Sequence, residues 1–261
     1  MDSLAVVESD PATFAAAIET AALHDGTAPA DREMFVRIDD DCVETPASGA
    51  GAQRASYCTI DGDRFDRLAV TGGTVDAMFD IAAVLSWLEW VDGDRLTARF
   101  EGQAGIASRL TLSSNGDEVG VACVDDPAVL DSVETYLPDR FDDTTFLDEA
   151  GTPLPTTVET TAGELSRLVD AVDLAAAPEA YPLAVREGGL AVNVEGDSAT
   201  VSASLDTDVA GPDVTNRYGE GFAAVVRGID GDVTLQTGPG EPVAFVQKGP
   251  THTLRFVVSH E

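Results

Sequence analysis

Lysine is almost missing from this 261-residue chain. Lys248 is the only one, and together with 14 arginines it stands against 47 aspartates and glutamates, for a formal charge of −32. That balance excludes the surface of an ordinary mesophilic domain. Cysteine is equally scarce: Cys42, Cys58 and Cys123 are odd in number and lack CxxC spacing, which excludes a disulfide framework and a zinc site and leaves three buried thiols as the expectation. No stretch approaches 18 uncharged apolar residues, so no transmembrane helix is predicted. The opening MDSLAVVESD has neither a basic n-region nor an apolar h-region, so no signal peptide is predicted and a soluble, intracellular protein is expected.

Catalytic signatures are missing as well. His24, His252 and His260 are isolated, without HxxxH, HxH or HExxH spacing, and neither GxSxG nor a Walker A sequence occurs. Gly219 and Gly221 begin a GxGxxG pattern that fails at Ala224. His24 reads as a cation at a helix end, and Asp39, Asp40 and Asp41 as a solvated acidic turn rather than a metal site. Neither a cofactor nor a metal is predicted, and the chain is not expected to be an enzyme.

What is present is acid spread along the whole chain together with 44% hydrophobic residues, enough to build cores. An acidic surface adapted to molar salt fits this better than a disordered acidic tail. The Debye length falls to about 3 Å at 1 M salt, so like-charge repulsion is largely screened there and strains the fold in dilute buffer.

The chain also describes one pattern twice. DPATFAAAIETAAL (10–23) and TAGELSRLVDAVDLAA (161–176) are small-residue helices entered through an Asp or Thr cap. FDIAAVLSWLEWVDGDRLTARF (79–100) and EGFAAVVRGIDGDVTLQT (220–237) share the order helix, Asp-Gly-Asp turn, alternating strand. Strands are predicted at 4–8, 34–38, 41–45 and 54–60, with a hairpin formed by RLTARFE and GIASRLTLS. In the second half they are predicted in VETT, YPLAVRE, LAVNVEG, ATVSASLD, VTLQT, PVAFVQK and TLRFVVS, with a helix at 218–229. Residues 114–155, with paired aspartates and four prolines, read as a long acidic connector holding a turn or two of helix. The division expected is a first domain at 1–116, a connector at 117–153 and a second domain at 154–261.

Two α+β repeats, an acidic connector and a closing hairpin resemble the sliding clamps of the archaeal and eukaryotic type, the proliferating cell nuclear antigen (PCNA) family. The stretches that carry the resemblance are DIAAVLSWLEWVDGDRLTARFEG and Tyr218 to the end, where YGEGFAAVVRGIDGDVTLQT and PVAFVQK follow the family's order of helix and strands. The resemblance implies a two-repeat DNA clamp fold, each repeat with two helices packed on antiparallel sheets, closing head to tail into a homotrimeric ring. It implies duplex DNA held without sequence reading inside the ring, with DNA polymerase, other clamp-binding proteins and a clamp loader as partners. No membrane partner is implied, and a haloarchaeal cytoplasm, cellular or virus-encoded, is the expected setting.

Family clamps line the hole with lysine and arginine, whereas here the helices at 10–23 and 79–91 hold no basic residue. Arg167, Arg217 and Arg227 are the candidates for facing DNA; as ordinary surface residues they would pair with nearby acids. The family's pocket for partner peptides maps onto Val129, Val133, Tyr136 and Leu137 in the connector, Pro242, and Val257, Val258 and Ser259 at the end. These apolar residues serve either as a pocket or as a seal of the connector onto the sheet. Two functions follow: a DNA sliding clamp, a processivity factor for DNA replication and repair enzymes, or a clamp-fold adaptor that binds proteins without encircling DNA.

Overall fold

The computed structural model describes residues 2–15, 18, 33–48, 54–130, 139–175, 180–195, 200–249 and 252–261. Its repeating unit is a strand that turns directly into a helix. Strand β1 (Asp2–Ser9) leads into a helical segment at 11–15, and β6 (Val75–Asp80) into α1 (Ile81–Trp90). Likewise β12 (Thr156–Thr161) leads into α3 (Ala162–Asp173), and β17 (Val214–Tyr218) into α4 (Glu220–Gly228). A single capping residue makes each transition. Asp10 accepts the Thr13 N–H at 2.9 Å, and Asp80 accepts those of Ala82 and Ala83 at 2.8 and 3.2 Å. Thr161 and Glu164 form a reciprocal capping box, and Gly219 enters α4 without a side-chain cap. These bonds satisfy amides that the helix itself leaves without partners.

The exits repeat too. α1 and α4 end on a β-branched residue in extended conformation, with the Val91 N–H donated to Trp87 O and the Ile229 N–H to Val225 O. An Asp-Gly-Asp turn then feeds β7 (Leu96–Gln103) after α1 and β18 (Asp232–Thr237) after α4. The two glycines have different roles. Gly231 sits at φ +62°, where a side chain is strained, while a Cβ on Gly93 would lie 2.3 Å from Ser114 Oγ.

The chain divides into two compact units, one formed by residues 1–47, 57–135 and 250–253 and the other by 48–56, 136–249 and 254–261. In the first, β2 (Glu33–Ile38), β3 (Cys42–Ser48) and β4 (Arg54–Asp61) run beside β6 in the order β4-β3-β2-β6. A second run has β9 (Asp117–Ala122) on β8 (Ile106–Ser114), followed by β7, β1 and β5 (Arg67–Val70). β6 meets β8 in parallel at Asp76–Ile106. β7 and β8 bury Leu96, Ala98, Phe100, Leu110 and Leu112 completely, and α1 buries Ile81 and Val84. Each of these leucine, isoleucine, valine and phenylalanine side chains contributes about 1.5–3 kcal/mol of transfer free energy. Asp117–Ala122 reads from sequence as the start of the connector, yet it pairs with β8 through six registered residues. The connector's helical turn is α2 (Pro127–Leu130).

In the second unit, β16 (Asp208–Ala210), β12, β18, β19 (Val243–Lys248) and β20 (Thr253–Val258) form one sheet, in that order. β15 (Thr200–Asp206), β14 (Gly189–Glu195), β13 (Tyr181–Arg186) and β17 form another. α3 and α4 pack on each other, α3 against β12, β14 and β15, and α4 against β13. Leu165, Leu168, Val169 and Val172 of α3 are buried, as are Phe222, Val225 and Val226 of α4. Phe222 stacks on Tyr218 with centroids 5.5 Å apart and lies 5.6 Å from the Phe245 ring.

The thiols depart from expectation. Cys58 is buried, but Cys42 and Cys123 are only partly buried because they lie where their strands begin or end, at the rim of the sheet. None of the three forms a disulfide, and burial still pushes the Cys123 thiol up to about 12 and raises that of Cys42. Both are therefore protonated and unreactive at neutral pH. His24 lies outside the described residues.

Candidate nucleic-acid and partner interfaces

The three arginines assigned to DNA contact occupy different settings. Arg167 stands exposed at the middle of α3, one turn from Glu164. Arg217 is exposed but belongs to β17 rather than to the end of a helix, since α4 begins three residues later; its carbonyl accepts the Glu261 N–H at 3.0 Å. Arg227, in the last turn of α4, donates from Nη2 to Asp173 Oδ2 at the end of α3, whose other oxygen accepts the Tyr181 hydroxyl at 2.8 Å. Burial, and then this bond to Asp173, push the Tyr181 phenol up to about 12.

Acids outnumber bases on the helix surfaces. On α1 the exposed positions are Ala83, Ser86, Glu89 and Trp90, the last 66% exposed. Beside them, Pro11, Ala12, Ala15, Leu85, Leu88 and Glu89 line an apolar groove of about 230 Å³. α3 and α4 expose Asp170 and Glu220 alongside Arg167 and Arg227. The cationic lining expected of a tight phosphate track is therefore thin here.

The partner-site residues fall into two groups. Val133, Tyr136 and Leu137 lie outside the described residues, and Val129 sits on α2 of the first unit. In the second unit Val258 is buried, Val257 and Pro242 are half-buried, and Ser259 is exposed. Val257 packs with Phe141 against a buried cluster of Phe146, Leu154 and Ala244.

Phe141 and Phe146 come from a small hairpin, β10 (Phe141–Asp142) and β11 (Thr145–Phe146), that the sequence reading missed. Asp143 takes φ +52° in its two-residue turn, a conformation that aspartate tolerates better than most residues. Gln236 of β18 pins the hairpin by accepting the Phe146 N–H at 2.6 Å and donating to Thr144 O at 3.2 Å. Arg255 of β20 donates to Asp143 O at 2.9 Å and lies over the Phe141 ring, and Arg140 lies over Phe146. The two aromatics in an acidic stretch were the available signal. This half of the connector is sealed to the sheet, leaving Phe141 and Val257 at the apolar rim.

Asn216 went unnoticed as well. Buried in β17, its amide nitrogen lies 2.8 Å from Gly238 O and 3.2 Å from Glu241 O, and its oxygen accepts the Gly240 N–H at 3.0 Å. The turn that presents Pro242 is thereby fixed from inside. Among the described residues no group of three or more His, Cys, Asp or Glu side chains could hold a metal ion, and no helix is long and apolar enough to cross a membrane.

Edges complete the inventory. Among the described residues β9 is paired along its length with β8 alone and β15 with β14 alone. At six and seven residues they are longer than the other described strands with one partner, β5, β10, β11, β16 and β17.

No protein-family model matches the sequence, and no curated protein sequence matches it. Solved structures do. PCNA from Entamoeba histolytica superimposes with a TM-score of 0.73 over 100% of both chains at 12% identity. PCNA of A. fulgidus, with the C-terminal region of FEN-1 bound, gives 0.71 over 99% of this chain and 98% of that one, also at 12%. PCNA from Thermococcus kodakaraensis gives 0.71 over 98% and 100% at 15%. Over its whole length, then, this chain has the α+β fold of the PCNA-type sliding clamps.

Proposed function

We propose that the protein is a DNA sliding clamp: a homotrimeric ring that encircles duplex DNA and tethers DNA polymerase and other replication and repair enzymes, loaded by a clamp loader. The observation that carries this reading is the likeness to three clamps, which covers 98–100% of this chain and of each of theirs. The open edges of β9 and β15 support it. Neither carries lysine, proline or a bulge, the devices that keep exposed edges from pairing, so both are suited to pair between copies. A clamp held by topology rather than affinity tolerates the thin set of Arg167, Arg217 and Arg227. The protein is a scaffold rather than a catalyst, working in the cytoplasm of a haloarchaeal cell or encoded by a virus of one. The residues proposed for its partner site are Val129, Val133, Tyr136, Leu137, Pro242, Val257, Val258 and Ser259; in the second unit the accessible ones are Pro242, Val257 and Ser259, with Phe141 beside Val257.

A second reading, a clamp-fold adaptor that binds proteins without encircling DNA, is favoured by one observation: Arg227 is already occupied by Asp173. Loading onto nicked circular plasmid in molar salt separates the two. A clamp stays with the circle through gel filtration and leaves when the plasmid is linearised. Equal retention, or none, on both forms contradicts encirclement.

A further inference from the structure

Among the described residues β9 is an edge strand paired with β8 alone, and one cation lies across it. Arg109 of β8 has its Cα opposite Ala122, yet its side chain runs over Gly120. A Cβ placed on Gly120 would sit 2.1 Å from Arg109 Nη2 and 2.7 Å from Cζ, so the guanidinium occupies the space a side chain there would fill. Leu110 and Leu112, its neighbours along β8, are fully buried, which puts Arg109 and Gly120 on the outward face. Among the described residues Arg109 is exposed and forms no ion pair, in a chain of net charge −32. Nearby, Arg95 is held by Glu8 and Arg37 by Asp76.

β15, the other long open edge, carries no cation. Its outward residues are Thr200, Ser202, Ser204 and Asp206, with Glu195 of β14 opposite Thr200. The one arginine of that sheet's β13 hairpin, Arg186, is paired with Asp213. Both edges carry acids, Asp117 and Glu118 on β9 and Asp206 on β15 with Glu195 beside it, but β9 is crossed by a cation and β15 is not.

We infer that Arg109, seated in the notch left by Gly120, is the residue that selects the β15 edge of a neighbouring copy, ion-pairing with a carboxylate flanking that edge, Glu195 or Asp206. The inference rests on the reading of the chain as a ring-forming clamp. It adds the residue that orients the contact. Two acidic edges repel when they meet, and a cation present on only one of the two favours head-to-tail pairing over like-with-like.

Sedimentation velocity of the full chain across protein and salt concentration tests it, with circular dichroism confirming the fold of each variant. Arg109→Glu is expected to raise the concentration needed for assembly by about tenfold or more in moderate salt. The deficit shrinks toward molar salt as the pair is screened. Adding Glu195→Arg or Asp206→Arg to Arg109→Glu in one chain is expected to restore assembly. Wild-type assembly by Arg109→Glu overturns the inference while leaving the ring intact. A loss that neither second substitution repairs overturns it also. A wild-type chain that never assembles removes the ring reading and this inference together.

Discussion

One carboxylate sets the charge of the helical surface in the second unit. Asp173 accepts from both Tyr181 and Arg227, so Arg227 is tied to the end of the neighbouring helix. The phenol reports on this arrangement. Its folded-state pKa, about 12, lies above the unfolded value near 10, so its contribution to stability is fully present below pH 10 and is lost as pH rises through about 12. Difference ultraviolet titration of the wild type against Tyr181→Phe should show one phenol ionising near pH 12; a transition near 10 contradicts the contact. Residue identity alone did not reveal the clasp, because Asp173 lies 54 positions from Arg227 in sequence and meets it only through packing of α3 on α4. Phe141 and Phe146 were legible as aromatics in an acidic stretch, but the glutamine and arginine that seat them lie about 90 and 110 residues further on.

At the scale of elements, local chemistry explains why the helices were readable and some strands were not. Caps and helical spacing are written within a few residues, and the predicted 79–91, 161–176 and 218–229 correspond to Ile81–Trp90, Ala162–Asp173 and Glu220–Gly228. Val75–Asp80 and Val214–Tyr218 were missed although they alternate inward through Val75, Ala77 and Phe79 and through Val214, Asn216 and Tyr218. Each is too short to declare itself before the helix pattern begins, and its partner strand is distant in sequence. Asp117–Ala122 was hidden by its acids, which an edge strand tolerates on its solvent side. The caps carry measurable energy. Thr161→Ala removes half of the capping box and should lower stability by about 1 kcal/mol in denaturant unfolding at high salt. No change would mean that Glu164 alone satisfies the first turn.

For the whole molecule, charge and topology make one argument. A formal charge of −32 on 261 residues repels itself, and salt screens that repulsion, so compactness and assembly should both grow with ionic strength. On the proposed clamp reading, the described open edges of β9 and β15 pair with those of other copies, and closing the ring removes both. The most direct measurement is light scattering coupled to size exclusion on the intact chain, in about 2 M KCl and again in dilute buffer. The clamp account predicts a mass of three times 27.2 kDa in the concentrated salt, falling as salt is withdrawn. A mass of 27.2 kDa at every salt and protein concentration would contradict it.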